Sequence, residues 1–239
     1  MDFNLPVELV AYLHELDAFI AAEVAPLQAQ DDNERYFDHR REWARTDFDK
    51  GGLPRPEWES LLREVRRRAD KSGHLRFALP VEYGGKGGGN LWMAVIREYL
   101  AAKGLGLHND LQSEHSIVVN NPFVLALRDF GTAQQRDELI PALIEERVRL
   151  AFGLTEPQHG SDATHIETRG IAESRNGVDG WRIDGEKMWT TGMHNATHCV
   201  TFARTSGQDG EAKGITAFLV PANSKGVKIE EYMWTFNMP

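Results

Sequence analysis

Cysteine is almost missing from this chain. Cys199 is the only one in 239 residues, so no internal disulfide can form and packing has to hold the fold. Lys and Arg are missing from Met1 to Gln28, where Asp2, Glu8, Glu15, Asp17 and Glu23 stand instead. A secretory signal needs a basic start and a mitochondrial presequence needs Arg without acids, so neither is expected. No apolar run approaches the roughly 20 residues that span a bilayer. Positive charge is short overall, at a formal net charge of −9. Without surplus cations to displace counterions, a general nucleic-acid binder is not expected, and the acidity reads as solubility. The default expectation is a soluble cytoplasmic protein. No internal repeat or low-complexity tract is visible.

What is present begins as helix. Leu9, Leu13, Leu16, Ile20 and Val24 recur at spacings of three and four and make one apolar stripe. Pro26 is expected to end that run. The charged stretch 31–52 reads as a solvated connection or an irregular helix. Pro54 and Pro56 precede Trp58, Leu61, Leu62 and Val65, a second amphipathic helix. The glycine-rich run from Leu79 to Gly89 lacks the spacing of a phosphate-binding loop and reads as a connector. Two more helices are expected, Leu91 to Lys103 and a run from about Leu111 that breaks near Pro122. Thr132 with Gln135 makes a capping box, and Leu139, Leu143 and Ile144 form a core stripe behind it.

After Leu150 the texture changes. Asn176-Gly177, Asp179-Gly180 and Asp184-Gly185 are turn dipeptides, with β-rich runs at Thr197 to Arg204 and Gly214 to Val220. The expected fold class is α+β: an N-terminal all-helical bundle over 1–149, then an antiparallel β-barrel or sandwich over 150–239.

Two polar segments carry the chemistry. Leu154-Thr155-Glu156-Pro157-Gln158-His159-Gly160-Ser161-Asp162 follows the apolar pair Ala151-Phe152 and is too interrupted for a core element. Gly185-Glu186-Lys187-Met188-Trp189-Thr190-Thr191-Gly192 follows some 30 residues later. Taken alone, the first is a loop whose hydroxyls satisfy its own backbone, and Trp189 is a core aromatic on a strand. Their order and spacing, with Tyr83-Gly84-Gly85 and Gly131-Thr132-x-x-Gln135 upstream, resemble the acyl-CoA dehydrogenase family over nearly the whole chain.

That resemblance implies α,β-desaturation of an acyl-CoA thioester with FAD as hydride acceptor. The backbone near Phe152 and Leu154 and the hydroxyl of Thr155 would meet the polar edge of the flavin, Trp189 would pack beside the ring, and Thr191 would lie near its reactive nitrogen. Thr190, where the family is usually apolar, counts with them as a β-branched swap. Gly160 and Ser161 would approach the ligand, Ser161 at the pantetheine or phosphate part of coenzyme A. Gln158 and His159 stand where small residues are usual. The polar segment Leu107 to His115 corresponds to the helix that lines the acyl pocket, which makes Glu114 a substrate contact. It either holds a polar or bulky acyl group or faces solvent.

The resemblance also implies an electron-transfer flavoprotein or similar acceptor and a homodimeric or homotetrameric parent. Its catalytic base is expected beyond Pro239, in a third, helical domain, so no residue of this chain is assigned that role. The β domain is expected to be incomplete at Pro239, and the chain to be an inactive fragment of a longer enzyme. Alternatives are an acyl-CoA oxidase, a flavin monooxygenase of the same fold, or a non-catalytic acyl-CoA-binding homologue. His159, His165, His194 and His198 lack a metal-site pattern, and no metal is expected.

Overall fold

The computed structural model describes residues 4–110 and 115–233. Its contacts cluster into two compact units that divide between Thr132 and Ala133.

The first unit is built on helices α1 (Val7–Phe19), α2 (Ala25–Ala29), α3 (Pro56–Lys71), α4 (Asn90–Ala101) and α5 (Pro122–Phe130). Leu9, Leu13, Leu16 and Val24 are buried as their spacing predicts, and Ile20 packs against the same cluster. Pro26 does not end the run. A single π turn, Ile20–Val24, joins α1 to α2. Pro26 has no N–H to give to the carbonyl four residues back, and the wider turn absorbs that loss, with the Ala25 N–H reaching Ile20 O instead. Pro56 opens α3 at a position where its missing N–H is no cost. Trp58, Leu61, Leu62 and Val65 then face the core.

The unit is not purely helical. Thr46–Asp47 (β1) pairs antiparallel with Leu53–Pro54 (β2). β1 of this small ribbon lies inside the stretch 31–52 expected to be a solvated connection, and that expectation fails there. Arg45 and Thr46 are buried. The Arg45 guanidinium lies 4.4 Å over the Trp58 ring and 2.5 Å from Asp110 Oδ2. His108, Asn109, Asp110 and Ser116 are buried too. Residues 106–109 form a tight turn, with Gly106 and Asn109 exchanging backbone bonds of 3.0 Å, and 107–110 are buried, so the solvent-facing alternative does not hold for them. Glu114 and Leu111 lie outside the described residues.

The glycine-rich connector folds back on Phe77, whose carbonyl accepts from the N–H groups of Lys86 and Gly88 at 3.1 Å. A Cβ at Gly88 would collide with the Phe77 ring, so the turn lies flat because that residue is glycine.

The second unit opens with α6 (Ala133–Ile144), which buries Ile140 and Ala142, while Leu139, Leu143 and Ile144 are only half-buried. Pro141 sits inside this helix. Strands β3 (Leu150–Gly153), β4 (Arg169–Arg175), β5 (Val178–Asp184), β6 (His198–Arg204) and β7 (Ile215–Pro221) make one sheet. β6 is its hub. It pairs antiparallel with β7, parallel with β3 over Leu150–Gly153, and parallel with β4 at Arg169↔Arg204. β5 lies beyond β4.

The sheet is therefore mixed rather than antiparallel, and among the described residues it does not close into a barrel. Pro239, where the β domain was expected to be incomplete and beyond which the catalytic base was expected, lies outside the described residues. Asn176-Gly177 is the hairpin turn as its chemistry predicts, both residues being left-handed (φ 54° and 77°). Asp179-Gly180 is not a turn. The two-residue loop has already set the register, so Gly180 is carried into β5 opposite Glu173. Among the described residues no helix is long and apolar enough to cross a membrane.

Asp110→Asn should destabilise the first unit by about 3–5 kcal/mol, because it takes this counter-ion from the buried Arg45 charge. Urea denaturation of the chain measures this, and a loss below about 1 kcal/mol would show the pair to be energetically idle.

Candidate functional site

The two polar segments meet in the second unit, at the C-terminal end of β3. β3 alternates in the strand period: Ala151 and Gly153 are buried, while Phe152 points outward, 49% exposed. The Phe152 ring makes an edge contact with Phe202 of β6 at 5.1 Å. As the chain leaves β3, Glu156 turns inward and is buried.

Its carboxylate accepts from Lys187 Nζ at 2.7 Å, from the backbone N–H groups of Glu167 (2.5 Å) and Thr168 (3.0 Å), and from the Thr168 hydroxyl. Lys187 Nζ also reaches Leu154 O at 3.2 Å, and the Met188 N–H donates to Thr155 O at 2.9 Å. Glu156 thus joins the first segment to the second and closes the 157–166 loop from below.

Burial alone would raise the Glu156 pKa. The donors from Lys187, Thr168 and Glu167 overcome that and hold it down to about 2. Burial pulls the Lys187 ammonium the other way, opposed by Glu156. With four donors on it the carboxylate stays ionised, so the pair is a salt bridge and not a neutral contact.

Thr155 and Leu154 are half-buried at this seam. Trp189 emerges from it with a left-handed backbone, φ 58°, and 58% of its surface exposed. A bulky residue in that conformation is a genuine outlier. The Thr191 N–H bonds back to Trp189 O at 3.1 Å. Among the described residues Thr190 Oγ1 is buried and has no hydrogen-bond partner. A large exposed indole, a strained backbone and an unpaired buried hydroxyl therefore fall on adjacent residues.

Gly160 and Ser161 stand on the solvent side of the 157–166 loop. Among the described residues no hydrogen bond joins them to Thr155, Trp189 or Thr191. Asp162 caps the short turn Ala163–His165 by accepting from the Thr164 N–H at 3.0 Å. Arg204, buried at the end of β6, donates to Thr164 O (2.6 Å) and Glu211 O (2.9 Å), which ties this loop to the β6–β7 connection. His159 and His165 stack at 5.9 Å, with His165 Nδ1 3.0 Å from Asp209. Among the described residues no three His, Cys, Asp or Glu side chains converge as a metal would require.

Thr168 and Arg204 were not singled out from the sequence. Nothing local marks them, since their partners lie 12 and 40 residues away.

Known proteins match this chain in two stretches. Residues 53–147 match the family model described as the acyl-CoA dehydrogenase N-terminal domain, and residues 151–237 match the acyl-CoA dehydrogenase middle domain. A 3-(aryl)acrylate reductase of Clostridium sporogenes is 31% identical over 182 residues, 74% of this chain and 45% of that protein. A glutaryl-CoA dehydrogenase of Desulfococcus multivorans is 26% identical over 231 residues, 95% of this chain and 51% of its own length. The chain thus spans about half of the curated relatives it matches. A glutaryl-CoA dehydrogenase from Mycobacterium smegmatis, solved in complex with FADH2, superposes with a TM-score of 0.57 at 22% identity, covering 93% of this chain and 47% of that one.

The depressed Glu156 value fixes a pH dependence. Its stabilising contribution is complete above the ordinary value of 4.5 and is lost as pH falls toward about 2. Thermal unfolding from pH 5 down to 2 should show the midpoint falling through that window. Glu156→Gln should lower the midpoint at pH 5 and flatten its pH dependence. Parallel curves for the two proteins would contradict the assignment.

Proposed function

Because this chain belongs to the acyl-CoA dehydrogenase family, we propose that it forms the N-terminal and middle domains of an enzyme that desaturates an acyl-CoA thioester between the α and β carbons. On this reading residues 1–149 are the N-terminal domain and 150–239 the middle one. The break between the two family matches, at 147 and 151, supports that boundary, although α6 clusters by contacts with the sheet.

FAD is the cofactor of the family, and the seam has the chemistry to hold it. A flavin needs flat apolar cover beside donors for its polar edge. The large exposed surfaces of Phe152 and Trp189 offer the first. Thr155 and Thr191, with the backbone near Leu154, offer the second. FAD supplies the hydride acceptor when bound.

In the overall change an α C–H bond gives up a proton to a base, a β C–H bond gives up a hydride, and a C=C bond forms. This chain's residues would orient the ring and exclude water from one face. Thr191 would hold a hydrogen bond near the reacting edge, while Gly160 and Ser161 would receive the coenzyme A portion. Glu156 is not the base, because all its capacity is spent on four internal donors. We assign Lys187 and Glu156 as the positioning pair of the cofactor wall. An electron-transfer flavoprotein as acceptor and a homo-oligomeric parent follow from the same reading. The strained, exposed Trp189 is the observation that carries it, since such strain persists only where the surroundings enforce it.

Two measurements test the proposal. Anaerobic addition of acyl-CoA thioesters to the FAD-loaded whole enzyme, of which these are two domains on this reading, should bleach the oxidised-flavin band and yield the 2-enoyl-CoA. An unbleached band with no enoyl product across a panel of chain lengths would contradict the reaction. Trp189→Gly should leave thermal stability unchanged or raise it by about 1 kcal/mol through relief of the left-handed strain. The same change should weaken FAD binding at least tenfold. A protein that is destabilised by this change but binds FAD as before would place Trp189 in the fold and not in the site.

A further inference from the structure

A cleft of about 280 Å³ lies in the first unit, between α1, the glycine-rich turn and the start of α4. Behind it lies a row of aromatic rings, with Tyr12 and Phe77 buried and Trp92 half-buried. Tyr12 and Phe77 lie 4.3 Å apart and tilted by 30°, and Phe77 stacks on Trp92 at 6.0 Å and 21°. Glu8 and Glu15 line the α1 side. Gly87 and Gly89 form a lip where, among the described residues, a Cβ would meet nothing within 4 Å, and Gly88 lets the turn lie against the Phe77 ring.

The chemistry of this wall selects charge. The faces of aromatic rings are negative, and two carboxylates flank them, so an anion is disfavoured and a cation welcomed. Lys86 demonstrates the preference from within the chain. Its ammonium lies 4.8 Å from the centroid of the Tyr12 ring and 3.5 Å from Glu15 Oε2. Both partners of that ion pair are exposed, Lys86 by 47% and Glu15 by 60%. Such a pair is screened by water and salt and yields readily to a competitor.

We propose that the cleft is a binding site for a small organic cation, an alkyl- or arylalkylammonium compound. The cation takes the place of the Lys86 ammonium against Tyr12 and Glu15, and its apolar part lies along the half-buried Trp92 and the glycine lip. Lys86 acts as an internal stand-in that leaves when the ligand enters. The ligand's charge fixes its affinity, and its flat or aliphatic body adds contact area.

Phenethylammonium is a direct probe, with 2-phenylethanol and phenylacetate as its neutral and anionic counterparts. Calorimetric titration of the 239-residue chain at fixed ionic strength should show phenethylammonium binding at least tenfold tighter than the alcohol, and phenylacetate not at all. The indole N–H resonance of Trp92, assigned by its loss in Trp92→Phe, should shift on titration. Lys86→Met should strengthen binding several-fold by removing the competitor, and Glu15→Gln should weaken it several-fold. Equal affinity for the ammonium and the alcohol would overturn the proposal. So would weaker binding by Lys86→Met, an unmoved Trp92 resonance, or no binding at all. Circular dichroism of each variant separates these outcomes from misfolding, and a variant that fails to fold is replaced by Lys86→Gln or Glu15→Ala at the same position.

Discussion

The buried ion pair between Glu156 and Lys187 is the contact on which the site depends. The two residues are 31 positions apart, and each sits within one of the two polar segments. A buried carboxylate is expensive unless its lone pairs are filled. Here they are filled by one ammonium, two backbone N–H groups and one hydroxyl. That arrangement admits only one relative placement of the chain leaving β3, the approach to β4 and the 185–192 segment. It is a positional constraint more than a source of net stability, since a well-packed apolar pair often does as well energetically.

The constraint has a consequence two residues further on. With Lys187 and Met188 held, Trp189 takes up a left-handed backbone and Thr190 buries a hydroxyl that has no partner among the described residues. Each feature costs on the order of 1–3 kcal/mol. The first unit contains another buried ion pair, Arg45 with Asp110.

Much of the fold is legible in the sequence where periodicity and turn chemistry are local. The α1 stripe, the α3 stripe behind Pro56 and the Asn176-Gly177 hairpin all appear as read. The failures share one cause, which is tertiary context over local rule. Pro26 is accommodated by a π turn, Asp179-Gly180 is overruled by a register already set, and α6 turns Ile140 and Ala142 inward in place of Leu139, Leu143 and Ile144. The charged stretch 31–52 hides a buried arginine because its partner, Asp110, lies 65 residues away. The parallel pairing of β3 with β6 is likewise a long-range event that alternation cannot reveal. The site is legible as two motifs. Its clasp is not, because nothing in the spacing says that Glu156 faces inward while its neighbours face out.

A double-mutant cycle tests the central claim most directly. The unfolding free energies of the wild-type chain, Glu156→Gln, Lys187→Met and the double variant give the coupling between the two side chains. A coupling of about 1.5–3 kcal/mol is expected for contacting groups in one buried network. A coupling near zero, with the single effects simply adding, would mean that the two segments are held together by something other than this pair.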